Sequence, residues 1–308
     1  MKASEQDGLF GDDTSIIEQL LLDTQRYRRG KEYLDLLNFV GRLPNIAPFN
    51  GLLIHIQNPD VKHVATARVW YEKLKRTIRS GAKPLIVLKN FGPVEFVYDI
   101  TDTLGEALPP GLLDPFSVKG KLDQQRWDLT IGNCWRDGTV VVELPMGVNE
   151  AGAIGPAEPG DKLWCPTEDV VKGKRRWQSK PATYRVQVNS LNSLETRYVT
   201  LVHELAHLYC GHLGTPNPKW WPDRRGCTLQ EREVEAESVA HVVSLRIGLE
   251  NPAARYLSGY MKSNDPIPPI SIESVMKAAR IIETMGTEVL PNRRAKSTNV
   301  KAGSSLLG

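Results

Sequence analysis

The residues best placed by type and spacing to do chemistry are His203, Glu204 and His207, within Thr200-Leu-Val-His-Glu-Leu-Ala-His207. On an α-helix, residues four apart lie on one face, one turn apart. Two imidazoles so placed share one metal ion, and zinc accepts them in tetrahedral geometry. Glu204 projects beside the same site. In this arrangement the glutamate is not a ligand; it takes a proton from an activated water and later delivers it to the leaving amine. The pattern predicts metal-assisted peptide hydrolysis with Glu204 as the catalytic base. The competing reading is a helix with two ordinary core histidines. The flanking Val199, Leu201, Val202, Leu205, Ala206 and Leu208 argue against it, because a buried His-Glu-His cluster without a metal is costly unless its charges are paired.

A catalytic zinc site needs a third protein ligand and an open position for water. The segment Leu229 to Leu249 reads as a helix that starts acidic, with Glu231, Glu233, Glu235 and Glu237, and continues into Val239, Ala240, Val242 and Val243. Glu235 stands four residues before Val239 and seven before Val242, on the inward-facing series, and is the expected metal ligand with His203 and His207. Glu233 and Glu237 are the alternatives, and acidic charge at a helix start has its own stabilising role. His241 and His212 are weaker ligand candidates; His212 stands behind the ligands or on the surface. The expected ion is Zn2+, one per chain, with Mn2+ or Co2+ also compatible with these donors. Tyr209, Arg255, Tyr256 and Tyr260 are candidates for stabilising the oxyanion.

These residues require elements to hold them. Asn192 to His212 reads as the histidine helix, with Asn192 and Glu195 at capping-box spacing. The alternating Tyr184 to Val188 reads as a strand before it. Residues 214–226, with Pro216, Pro218 and Pro222, read as a loop. Upstream, Ser15 to Val40 has helical spacing interrupted at Gly30, and Asn50 to Gln57 reads as a short helix or buried segment. Ala65 to Ser80 reads as a helix closed by Gly81. Pro84 to Leu88 and Val94 to Ile100 read as strands. Residues 123–145 read as further strand, notably Thr139 to Leu144, and 146–182 as long loops.

The chain has 308 residues, 41% hydrophobic and 24% charged, a globular balance with material for about two domains. The net charge of +3 excludes nothing alone, but its distribution is informative. Between Lys62 and Gly92, Lys62, Arg68, Lys73, Lys75, Arg76, Arg79, Lys83 and Lys89 are opposed by Glu72 alone, and Trp70, Tyr71 and Phe91 are interleaved. Basic side chains neutralise phosphates and aromatic faces stack on unpaired bases. On composition alone a solvated basic face with Trp70 in the core is the favoured reading. A second basic run, Lys172 to Lys180 around Trp177, reads as a surface loop near the peptidase site. The widely spaced Cys134, Cys165, Cys210 and Cys227 suggest neither a disulfide framework nor an all-cysteine metal site. With no long apolar run and no secretory signal, a cytoplasmic protein without a membrane partner is expected.

The motif around His203, with Glu233-Val-Glu-Ala-Glu-Ser-Val-Ala-His-Val-Val243, resembles the ImmA/IrrE-like zinc metallopeptidases. It resembles still more the peptidase domain of ArdC-like antirestriction proteins of plasmids and phages. That resemblance implies the glutamate directly before alanine, Glu235, as third ligand. Asn50-Gly-Leu-Leu-Ile-His-Ile-Gln-Asn-Pro-Asp60, Trp70 with Arg79-Ser-Gly-Ala-Lys83, and Val97-Tyr-Asp-Ile-Thr-Asp-Thr-Leu-Gly105 resemble further segments of the family. Ala82 and His241 depart from its usual Glu and Tyr, and Leu108 to Pro181 matches little of it. The resemblance implies an α+β protein with an N-terminal α+β domain that binds single-stranded DNA and a C-terminal zincin-like metallopeptidase domain. The expected division is a disordered tail at 1–14, a single-stranded-DNA-binding domain at 15–122, a metallopeptidase domain at 123–290, and a disordered basic tail at 291–308. The expected partners are single-stranded DNA, through Arg68, Trp70, Lys73, Lys75, Arg76, Arg79 and Lys83, and a protein substrate. Two other readings remain: a non-proteolytic DNA-protection protein with a structural metal, and a peptidase that cleaves a repressor.

Overall fold

The computed structural model describes residues 27, 29–89, 92–107, 121–147, 150–171, 174–249 and 267–293 of an α+β protein. The N-terminal part opens on two helices, α1 (Gly30–Gly41) and α2 (Pro48–Gln57). Tyr33, Leu36, Leu37 and Val40 recur at spacings of three and four and are buried, so α1 has one apolar stripe to hide. Gly30 begins this helix; residues 15–26, the earlier part of the stretch expected to be helical, lie outside the described residues. Pro48 occupies the first turn of α2, where its missing N–H costs nothing.

The helix expected over Ala65–Ser80 is much shorter. After β1 (Val64–Ala65), α3 covers only Ala67–Glu72, capped by Thr66. Lys75 then takes a left-handed φ of 53°, and β2 (Arg76–Ile78) turns away to pair antiparallel with β5 (Thr103–Gly105). The β-branched Thr77 and Ile78 suit that ladder better than a helix. The two expected strands are present as β3 (Leu85–Lys89) and β4 (Gly92–Asp99), which pair antiparallel in a sheet of order β1-β4-β3. The outer edge of β3 is not bare. Asn50 exchanges two hydrogen bonds of 3.0 Å with the backbone of Leu88, and Gln57 exchanges two of 2.8 Å with that of Ile86. Seven residues is two helical turns, so both amides leave one face of α2 and stand in for a missing strand.

Residues 124–134, expected as strand, form helix α4 (Gln124–Cys134), with Asp123 accepting from Gln125 N–H at its start. Its buried Trp127, Thr130 and Cys134 keep the three-and-four spacing of a helix. Strand β6 (Thr139–Leu144) is where expected. The expected loops of 146–182 contain three strands, β7 (Gly152–Pro156), β8 (Lys162–Val171) and β9 (Lys174–Pro181), the last two forming a separate hairpin. An edge strand and a mostly exposed hairpin need little apolar alternation, so their composition reads as loop. Central strand β10 (Tyr184–Asn189) runs parallel to β6 and antiparallel to β7.

Helix α5 (Leu194–Tyr209) lies against this sheet, and helices α6 (Leu229–Arg246) and α7 (Ile272–Met285) complete the layer. The cap of α5 is Ser193, one residue later than expected, accepting from Thr196 N–H; Glu195 instead accepts from Leu122 N–H. One apolar core runs from Tyr27 to Leu290 and joins residues on both sides of the expected boundary at 122. Arg246 fixes that junction. Its buried guanidinium donates to the carbonyls of Val40, Leu43, Pro44 and Ile46 and pairs with Glu283. No helix among the described residues is long and apolar enough to cross a membrane.

Candidate metal centre

Helix α5 buries Leu201, Val202, Leu205 and Leu208 and turns His203 and His207 toward α6. Their Nε2 atoms face each other at 3.2 Å. Glu233 closes the group: its Oε2 is 3.5 Å from His203 Nε2 and its Oε1 is 3.6 Å from His207 Nε2. Donors bound at 2.0–2.1 Å to one tetrahedral ion stand about 3.3 Å apart, so the three spacings fit a zinc ion held between them. All three side chains remain partly exposed, which leaves a side open to water.

The helix period explains why Glu233 is here and Glu235 is not. Two residues along an α-helix is about 200° of rotation, so the two carboxylates leave opposite faces of α6. Val239 and Val242 mark the core-facing side, and Glu235 follows them inward to complete burial. There it accepts from His212 Nε2 at 2.9 Å, from both ends of the Arg224 guanidinium, and from Ser271 N–H at 2.6 Å. The expectation that Glu235 reaches the metal is therefore not met by the geometry; Glu233, at the border between the apolar face and the cleft, reaches the histidines. Glu237, one turn beyond Glu233, puts Oε1 3.6 Å from His203 Nδ1.

Electrostatics follow from this crowding. Burial opposes charge on His203, but Glu233, Glu204 and Glu237 outweigh it and raise its pKa. Burial and the neighbouring His203 push His207 the other way. The bond to His203 holds Glu233 below its usual range, whereas burial raises Glu237. Burial pushes Glu204 up to about 7, although the Ile154 N–H on β7 donates to its carboxylate. β7 passes so close that a Cβ on Gly152 would lie 2.5 Å from Thr200 Cγ2 and 2.6 Å from Gln187 O, leaving room for glycine only. The outer edge of β7, beside Glu204, pairs with no strand among the described residues.

The remaining candidates separate by environment. Tyr209 donates its hydroxyl to Asp137 in the core, away from the cleft. Arg255, Tyr256 and Tyr260 lie outside the described residues. His241 is buried against Asn38 on α1. Among the expected DNA contacts, Trp70 is fully buried and donates its indole N–H to Tyr98 O, so no base can stack on it. Arg76 turns inward to Thr103 Oγ1 and the carbonyls of Gly105 and Glu106, and Arg79 reaches Thr103 O. Arg68 is exposed and paired with Glu72, and Lys75 donates to Glu72 O. Lys73 and Lys83 are exposed, as are Tyr71 and Phe96. Residues 174–180 of the second basic run lie in β9, with Trp177 exposed, and 172–173 lie outside the described residues.

The sequence left Glu233 as an alternative and gave Arg224 no role. Placing Glu233 needs the crossing of α5 and α6, whereas the capping box of Thr228 and Glu231, which sets the phase of α6, is visible in the sequence.

A family model described as IrrE N-terminal-like domain, peptidase M78, matches residues 165–244, the span that holds α5 and most of α6. A similar solved structure is the metal-free crystal structure of the antirestriction ArdC protein from the R388 plasmid. It is 13% identical, covers 77% of this chain and 81% of its own, and superposes with a TM-score of 0.32. No curated protein matches the chain.

Proposed function

We propose that this protein is a zinc-dependent peptidase whose ion is held by His203, His207 and Glu233, with Glu204 as general base. The observation that carries this is the convergence at tetrahedral spacing of the two histidines around Glu204 with Glu233 from the facing helix. A bound zinc ion would polarise the scissile carbonyl and lower the pKa of the attacking water. The outer edge of β7, which pairs with no strand among the described residues, offers backbone groups to which an extended peptide can add as a further strand, placing its carbonyl beside the cluster. Glu204 accepts a proton from water as the new C–O bond forms. It then returns that proton to the amine nitrogen as the C–N bond breaks, so hydrolysis balances without another reactant.

The N-terminal part supports a second activity, contact with single-stranded DNA. The exposed Lys73 and Lys83 can meet phosphates, and the exposed Tyr71 and Phe96, rather than Trp70, can meet bases. Together these suit an antirestriction protein that handles incoming DNA as well as a protein substrate. To test the peptidase, zinc-loaded wild type and Glu204→Gln are incubated with a denatured protein mixture, and newly formed N-termini are mapped by mass spectrometry. Cleavage sites that require Glu204 are expected; identical maps would refute the assignment.

A further inference from the structure

Glu235 does not touch the histidine pair, yet it reaches His207 through one intervening ring. His212 Nε2 lies 2.9 Å from Glu235 Oε2, and His212 Nδ1 lies 2.9 Å from His207 Nδ1. The side chains of Glu235 and His212 are 0% and 1% exposed, so their polar atoms must find partners within the chain. The loop after α5 is shaped to bring them there. Gly211 has φ of 85°, and a Cβ on it would collide with the carbonyl of Pro222. Arg224 N–H donates back to Gly211 O at 2.9 Å, so His212 and Arg224 reach one buried point.

The proton positions follow from the acceptor end. Glu235 receives the Arg224 guanidinium on both oxygens and the Ser271 N–H on one, as an ionised carboxylate that only accepts. His212 Nε2 must then carry hydrogen. With its Nε2–H given to Glu235, His212 offers Nδ1 as the acceptor of the contact with His207 Nδ1. A bare Nδ1 at 2.9 Å requires hydrogen on His207 Nδ1. With its hydrogen on Nδ1, His207 presents the lone pair of Nε2, the atom that faces His203 Nε2 and Glu233.

We propose that His212 and Glu235 are positioning residues that fix His207 in the tautomer with a bare Nε2, so that Glu235 governs metal affinity without touching the metal. This rests on the reading of His203, His207 and Glu233 as the metal site. A carboxylate behind a ligating histidine orients the ring and raises its basicity; here a second histidine carries that influence across an added step.

The test has two readouts on the full-length chain. Two-bond proton–nitrogen correlation spectra of metal-free wild type should place hydrogen on His207 Nδ1 and His212 Nε2; hydrogen on His207 Nε2 would overturn the proposal. Zinc affinity, measured by chelator competition, should fall about 10–100-fold in His212→Leu. His212→Gln should retain most of it, because its amide oxygen can accept from His207 while its amide N–H donates to Glu235. Wild-type affinity in His212→Leu, or a His212→Gln no better than His212→Leu, would overturn the relay. If His212→Leu fails to fold, the wild-type spectrum and His212→Gln decide the matter. A wild type that binds no zinc would overturn the metal-site reading instead, and the metal-free spectrum would still decide the relay.

Discussion

Replacing Arg246 with methionine should detach the N-terminal helices from the helix that carries Glu233. The guanidinium donates to Val40 O at 3.0 Å, Leu43 O at 2.7 Å, Pro44 O at 3.0 Å and Ile46 O at 2.8 Å, and it pairs with Glu283. Its side chain is 2% exposed and that of Glu283 is 10% exposed, so the pair is shielded from solvent. Methionine fills most of the volume but satisfies none of these acceptors. Stranding a buried carboxylate costs about 3–5 kcal/mol, comparable to much of a typical domain's stability. The carbonyls at the end of α1 add to this where water cannot reach them. Arg246→Met with Glu283→Leu removes the stranded charge and should recover part of the loss, leaving the carbonyl deficit. Urea unfolding measures both, and amide exchange in α1 locates the effect. A loss below about 1 kcal/mol for Arg246→Met, or a double variant no more stable than the single one, would refute this account of the junction.

Other expectations follow from the same geometry. Glu204→Gln should keep the fold and bind zinc, while turnover falls about 10²–10⁴-fold, as for loss of a general base; undiminished turnover would remove Glu204 from the chemistry. Asp99 is buried, which opposes its charge, but hydrogen bonds from Thr101, His63 and Lys62 outweigh burial and lower its pKa. Its contribution is therefore present above the unfolded carboxylate value of about 4 and lost as pH falls through the folded value. Asp99→Asn should cost about 2 kcal/mol near neutrality, with the gap to wild type closing in acid; a gap independent of pH would contradict this. Replacing Lys73 and Lys83 with alanine should weaken oligothymidine binding and flatten its salt dependence by about 0.7 per lysine, whereas Trp70→Ala should cost about 3–5 kcal/mol of stability. An unchanged salt slope would move the DNA surface elsewhere.

Much of the site was legible because it is local. His203, Glu204 and His207 lie within one helical turn, where a fixed rotation per residue decides which side chains meet. The third donor was not local. The apolar series through Val239 and Val242 does identify an inward face, but inward here means the core, and Glu235 enters it only because His212, Arg224 and Ser271 surround it. Those partners come from a loop and a later helix whose approach no periodicity reports. Trp70 shows the converse: its basic neighbours suggested a stacking surface, while its size drew it into the core, and its N–H found Tyr98 O. The strands within 146–182 are not legible in the sequence because an edge strand and a mostly exposed hairpin carry little apolar alternation. The spacing of Asn50 and Gln57 does contain their role, since two turns of helix place two amides against alternate residues of β3.

The central claim is that His203, His207 and Glu233 hold one metal ion while Glu235 stands behind them. Cobalt titration of the wild type and of Glu233→Ala and Glu235→Gln tests it most directly, because visible absorption bands report the ligand set separately from affinity. The account predicts one ion per chain in the wild type, altered or lost bands in Glu233→Ala, and bands of unchanged shape but weaker binding in Glu235→Gln. Bands that survive Glu233→Ala intact and change in Glu235→Gln, or a wild type that takes up no stoichiometric ion, would contradict it.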